Sequence, residues 1–397
     1  MQNEMTQLSK SIYEEAMSGH MTVQEAVNFL KREAKIRSLK EKIEKYYHGQ
    51  DLRQTLVSGL LHNHPDLSKD SIERRVRGWL GKDSTRSVRK QDAIEICFIL
   101  KLSVEEADEF VTLVSEEALH WRNPDEVVYI FALKQGMDYR EAQELNRRME
   151  EILSDVKESK NLQENSFTPI VRAEISALRT IEELTDYLRH AVPRLGRCHN
   201  NAYKLFMEMI YTLEHPRLYE TVEQAEVFDS ERLTIRDILK EYLYEGNVLY
   251  AKEIARADKE RDSKLSEEER LVFTTIQDSV SANWPDETTI SKMKSRKMDV
   301  TRKVLILLFL ATDQGLELDE EDEYQYEPTT EDVFEDLYQR LNDMLLLCGY
   351  GRLDPRSPFD WLILYCICAQ DMLDVDIRMR AVFKEMFGER AAGEGGN

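Results

Sequence analysis

Residues 68–111 read SKDSIERRVRGWLGKDSTRSVRKQDAIEICFILKLSVEEADEFV. This stretch alone spells three helices. Ser68 is a good N-cap, and the segment it opens runs to Trp79-Leu80 before Gly81, the punctuation of a helix's two ends. Ala93, Ile94, Ile96, Cys97, Phe98, Ile99 and Leu100 crowd the next segment, about 90–101, which reads as a core helix. Ser103 and Glu106 form a capping box. Behind it Val104, Ala107, Phe110, Val111 and Val114 share one helical face. Upstream, a helix from about Asp51 ends near His64-Pro65, since the residue before a proline is pushed out of helical geometry. Thr22 with Glu25 caps a further helix, and Leu39–Tyr47 continues the pattern. Downstream, Asp125–Lys134 precedes Gly136, and a later helix fades into the polar run KESKNLQENS.

The same reading extends over the chain. With 15 Gly and 9 Pro in 397 residues, turn-formers are too scarce for a many-stranded fold. The expected class is all-α.

A second copy of the pattern lies near the C-terminus. Val104–Pro124, VEEADEFVTLVSEEALHWRNP, aligns without a gap on Tyr338–Pro358, YQRLNDMLLLCGYGRLDPRSP. Ala107 falls on Leu341, Phe110 on Met344, Val111 on Leu345, Leu113 on Leu347 and Leu119 on Leu353, and Arg122-x-Pro124 matches Arg356-x-Pro358. Val127–Leu133 then falls on Trp361–Ile367, and His64-Pro65-Asp66 resembles Trp284-Pro285-Asp286. The expected organisation is N-terminal helices at 1–34, one module at 35–135, a helical linker or bundle at 136–264, and a divergent second module at 265–390. An insertion at 316–336 interrupts the second; Glu317–Asp336 holds 11 acids and no base. It lacks the glycine of a calcium loop and reads as a solvated loop.

Charge is segregated. The chain carries 54 basic and 76 acidic residues, a net charge of −22, so its whole surface cannot attract a polyanion. Yet residues 69–90 hold eight bases against three acids, and residues 292–303 hold six bases against Asp299 alone.

The first of these stretches resembles the phage-repressor-like (Cro, XRE) helix-turn-helix regulators, most specifically over Ala93–Val111 within about 40–115. Thr289–Lys297 with Arg302-Lys303-Val304-Leu305 resembles the family more briefly. The resemblance implies five-helix DNA-binding modules whose second motif helix enters the major groove. It puts Ser68, Lys69, Ser71 and Arg75 where base or phosphate contacts fall, and Lys82, Arg86 and Arg89 where backbone phosphates are met; Arg74 and Lys90 of the same basic patch are further candidates for DNA contact. In the second module the corresponding residues are Lys292, Lys294, Arg296 and Lys297. Glu73, Gly78, Met293 and a longer turn at 63–66 depart from the family pattern. A basic helix face can equally pair with the chain's own acids.

Other chemistry is not spelled. The sequence has no CxxC, HExxH, GxxxxGK[ST] or GxSxG motif. His62-x-His64 before a proline reads as a helix end, Gly349-Tyr350-Gly351 as a turn, and Trp79, Trp121, Trp284 and Trp361 as packing anchors. The five cysteines are odd in number, with three in apolar runs, which argues against a disulfide framework and for a reducing compartment. MQNEMTQLSK carries no apolar leader, and Val304–Ala311 and Trp361–Ala369 are far short of the roughly 20 residues that span a bilayer. The expectation is a cytoplasmic bacterial or phage-derived transcription regulator, not an enzyme, with no cofactor, metal or membrane contact. Its partner would be duplex DNA, bound by a monomer with two modules or by a homodimer. The alternative is a non-catalytic scaffold in a phage-defence or stress assembly, whose acidic surface recruits a basic protein.

Overall fold

The computed structural model describes residues 21–32, 38–81, 88–115, 117–153, 168–191, 195–196, 198–215, 233–248, 266–312, 330–355, 357–368 and 375–387. Every regular element among them is an α-helix. None is long and apolar enough to cross a membrane. The chain divides into two compact units. One is Arg37–Asn200 with Cys348–Gly351; the other is Met1–Ile36, Asn201–Leu347 and Arg352–Asn397.

The first helix, α1 (Val23–Arg32), belongs to the second of these units. The first unit holds α2 (Leu39–Glu44), α3 (Leu52–Asn63), α4 (Lys69–Leu80), α5 (Lys90–Leu100), α6 (Val104–Ser115), α7 (Pro124–Lys134), α8 (Tyr139–Leu153), α9 (Thr168–Ala177) and α10 (Ile181–Ala191). The capping boxes read from the sequence are in place, Thr22 with Glu25 at α1 and Ser103 with Glu106 at α6, and further caps join them. Ser38 and Glu41 close a capping box at α2, and Asp51 accepts from the Gln54 amide at α3. Gly136 adopts φ +69° after α7, and the amides of Gly136 and Met137 bond back to Leu133 and Ala132. Glycine makes that left-handed stop without a Cβ penalty. Leu56, Leu60, Ile72, Val76, Ile94, Phe110 and Phe131 share one core. α3 lies against α4, α5 against α6, and α7 against α8.

The second unit holds α11 (Asn200–Glu214), α12 (Ile235–Glu241), α13 (Glu245–Val248), α14 (Glu267–Ser281), α15 (Glu287–Lys294), α16 (Arg302–Thr312), α17 (Thr330–Leu347), α18 (Pro358–Cys368) and α19 (Val375–Phe387). The helix α1 packs on α14 and α19, and Phe29 stacks on Trp361 at 5.2 Å. The expected N-terminal segment is therefore built into the C-terminal core. Both apolar runs, in α16 and α18, are buried along their length. Residues 316–329 of the acid-rich insertion lie outside the described residues, and α17 starts just beyond them.

Two corners, one in each unit, carry the same bonds. In the first, Asp108 Oδ1 accepts from the Leu119 amide (2.9 Å), and Glu126 Oε2 from the His120 amide (2.7 Å). In the second, Asn342 Oδ1 accepts from the Leu353 amide (2.8 Å), and Asp360 Oδ2 from the Asp354 amide (2.8 Å). The amides of Asn123 and Val127 bond to His120 and Asn123; those of Ser357 and Trp361 bond to Asp354 and Ser357. A cation at the first position of the core helix then closes each corner. Lys90 Nζ lies 2.9 Å from Glu126 Oε1, and Arg302 Nη2 lies 2.7 Å from Asp360 Oδ2. The bonded amides and their acceptors fall on the register of the ungapped alignment or its extension; Lys90 and Arg302 correspond only by standing first in their core helices. These side-chain oxygens satisfy amides that a tight turn would otherwise bury without a partner, an omission costing about 1–3 kcal/mol each.

Candidate nucleic-acid interface

The helix α4 has two sides. Ser68 caps it, accepting from the Ser71 amide at 3.3 Å. Ile72, Val76 and Trp79 face the core. Asp70, Ser71, Arg74, Arg77 and Gly78 are exposed, and their spacing of three, four and seven sets them on one side. Lys69 is exposed beside them, 3.7 Å from Glu73 Oε1.

Arg75 points the other way. Its Nη2 donates to Asp92 Oδ1 at 2.8 Å and Glu95 Oε2 at 3.2 Å, and its guanidinium lies 4.7 Å from the Trp79 ring. Glu95 is buried, and Asn63 Nδ2 donates to it at 2.9 Å. His64 Nε2 also lies 2.9 Å from its Oε1. This carboxylate joins the end of α3, the turn, α4 and α5 at one point. It fixes the angle at which α4 is presented.

The remaining cations divide in the same manner. Arg89 precedes α5 with 87% of its side chain exposed, and its Nε is 3.5 Å from Asp92. Lys90 is only 16% exposed and is held by Glu126, with Glu117 at 3.8 Å. Lys82 and Arg86 lie outside the described residues. The first patch therefore presents Lys69, Arg74, Arg77 and Arg89 outward, while Arg75 and Lys90 are turned in and matched by carboxylates. Arg77, which the sequence reading counted among the bases without giving it a contact, belongs with the exposed set.

Gly78 is a further feature of that face. A Cβ built on it meets nothing within 4 Å. A mid-helix glycine costs about 0.5–1 kcal/mol relative to alanine, and here no neighbouring group needs the space. The backbone of α4 is bare between Arg74 and Arg77 on one side and Gly81 on the other.

The second patch is arranged differently. Asp286 caps α15 by accepting from the Thr289 amide at 2.6 Å. Ile290 and Met293 are buried. Lys292, Arg296 and Lys297 are exposed. Lys294 Nζ lies 2.8 Å from Glu214 Oε1, and Tyr203 Oη donates to the Lys294 carbonyl at 3.0 Å. The Arg296 guanidinium sits 4.7 Å from the Tyr203 ring, with Arg296 itself at φ 55°. Tyr203 and Glu214 both come from α11, which so engages half of this patch.

Comparison with family models, with curated proteins and with solved structures found no match to this chain.

Proposed function

We propose that the first unit binds duplex DNA through the exposed side of α4, with Arg74 and Arg77 at its centre and Lys69 and Arg89 at its edges. What carries the reading is the outward pair Arg74 and Arg77 beside the bare backbone of Gly78. Arginines at this spacing meet phosphates, and a helix without a side chain at that point can approach a groove wall closely. Ser71, on the same side, offers a hydroxyl to a base edge or phosphate. The inward set supports the reading in another way: Arg75, Glu95 and Asp92 brace the helix, so that the outward set is presented on a rigid element. Each lysine or arginine that meets a phosphate releases counterions, so a few contacts suffice even on an acidic chain. On this reading the protein is a DNA-binding regulator.

The test is retention of random duplex by the wild type and by the triple change Arg74→Ala, Arg77→Ala and Arg89→Ala, across a salt series. The triple variant is expected to lose retention at low salt and to flatten the salt slope by about 0.9 for each phosphate contact removed. Unaltered retention overturns the proposal.

One observation favours the other reading, a protein-interaction scaffold. The Lys294 and Arg296 cations of the second patch are already engaged by α11. Should the triple variant behave as the wild type, a protein partner of the acidic surface becomes the better account.

A further inference from the structure

We infer that α15 is the second module's counterpart of α4, and that α11 holds it closed, so that the chain carries a latent second duplex-binding face.

The counterpart relation stands on two observations. The corners that follow the core helices α5 and α16 share their backbone and side-chain bonds position for position, and each is closed by a cation–carboxylate pair at the first residue of its core helix. Shared helical periodicity can align apolar residues. It does not reproduce two side-chain-capped amides on one register, each corner closed by a cation from the first residue of its core helix. Walking back from each core helix, the preceding described helix is α4 in one unit and α15 in the other. Each is capped by an oxygen that accepts from the amide three residues on, and each buries an isoleucine at the fourth helical position, Ile72 and Ile290.

The closing contact is specific. Glu214 places a nearly buried carboxylate, 9% exposed, on the Lys294 ammonium, where a phosphate oxygen would sit on an open face. The Arg296 guanidinium is laid on the Tyr203 ring, and the hydroxyl of the same tyrosine bonds the end of α15. The amides of Arg296 and Lys297 bond back to Met293 and Lys292, a stop that normally uses glycine. Arginine at this left-handed position costs about 1 kcal/mol or more, and stacking on Tyr203 offsets it in the closed arrangement. Among the described residues of its own unit the face of α4 has no such cover: Arg74 and Arg77 are exposed.

This inference rests on reading α4 as a duplex-binding helix, and its test separates the two. Glu214→Gln keeps the size of the side chain and removes the competing charge; Tyr203→Leu removes the ring laid on Arg296. Each is measured on the full chain for retention of random duplex across a salt series, with thermal unfolding as the control for folding. Glu214→Gln is expected to steepen the salt slope by about 0.9, and Lys294→Gln added to it is expected to return the slope to the wild-type value. If Glu214→Gln does not fold, Tyr203→Leu carries the test with the same expectation, the freed cation then being Arg296. A folded variant with the wild-type slope overturns the latent face while leaving α4 untouched. If the wild type does not bind duplex, the α4 reading fails; binding by Glu214→Gln then still supports the latent face, and its absence overturns that as well.

Discussion

Arg302 grips Asp360 with both ends of its guanidinium, Nη1 to Oδ1 at 2.8 Å and Nη2 to Oδ2 at 2.7 Å, and both side chains are buried. The same carboxylate accepts from the Asp354 amide, and the same arginine donates to the Arg352 carbonyl at 3.0 Å. Breaking a buried pair leaves a stranded charge, at a cost of about 3–5 kcal/mol. Asp360→Ala is therefore expected to destabilise by that amount in urea unfolding. Arg302→Met with Asp360→Leu strands no charge and is expected to cost less than the single change. Equal losses from the single and double variants would show that the charge is not what matters.

The cations of the first patch divide into structural and exposed sets. Arg75→Met removes the bonds to Asp92 and Glu95, and a lost bond to a charged group is worth about 1.5–3 kcal/mol. Lys90→Met leaves Glu126 without its cation, with the His120 amide and the Asn123 side chain as donors. Both are expected to lower the melting temperature. Arg74→Ala and Arg77→Ala are expected to leave it within the range of ordinary surface changes, about 0.5 kcal/mol. Thermal scans of the four single variants check the division, and a marked loss from Arg74→Ala or Arg77→Ala would sink it.

That division shows what was and was not legible in the sequence. The helices were, because Ser68, Ser103 with Glu106, and the apolar spacing around Ile94 and Phe110 are local signals. The ungapped alignment was legible too, and the capped amides at Leu119, His120, Leu353 and Asp354 lie on its register. The direction of each cation was not. Lys294 meets a carboxylate 80 residues away, Lys90 one on the next helix but one, and Arg75 one on α5. Charge counts along the chain cannot tell a cation that braces a helix from one that faces outward. Nor did alternating apolar residues reveal that Asp108 and Asn342 cap equivalent amides, since both positions read simply as polar.

Two glycines in adjacent helices are expected to respond in opposite ways to alanine. A Cβ at Gly59 in α3 would meet Ile99 Cγ1 and Cγ2 at 2.7 Å, whereas one at Gly78 in α4 meets nothing. Gly59→Ala is expected to destabilise by about 1–3 kcal/mol through overpacking. Gly78→Ala is expected to stabilise by up to about 1 kcal/mol, the helix propensity recovered. If the bare backbone of α4 serves close approach to DNA, Gly78→Ala also weakens duplex retention while raising the melting temperature. A stabilised variant with undiminished retention would separate Gly78 from binding.

Near the start of α15, two carboxyls titrate in opposite senses. Bonds from the Thr289 amide and hydroxyl hold Asp286 below its ordinary value. Its contribution to stability is therefore present above the unfolded aspartate range and is lost as pH falls through the folded value. Burial, with the charges of Asp286 and Glu287, holds Glu245 above its ordinary value. Ionising Glu245 opposes folding, so its contribution declines as pH rises from the unfolded value through the folded one. Glu245→Gln is accordingly expected to stabilise at pH 7 and to have less effect at pH 3, where the carboxyl is already protonated. Asp286→Asn keeps a cap oxygen and is expected to be destabilising at pH 7, by an amount that shrinks as the pH falls toward 3. Urea unfolding of both variants at the two pH values checks the signs. A Glu245→Gln chain no more stable than wild type at pH 7 would mean that the carboxylate is already relieved by solvent or by Arg236 and Lys240, the cations that lower it.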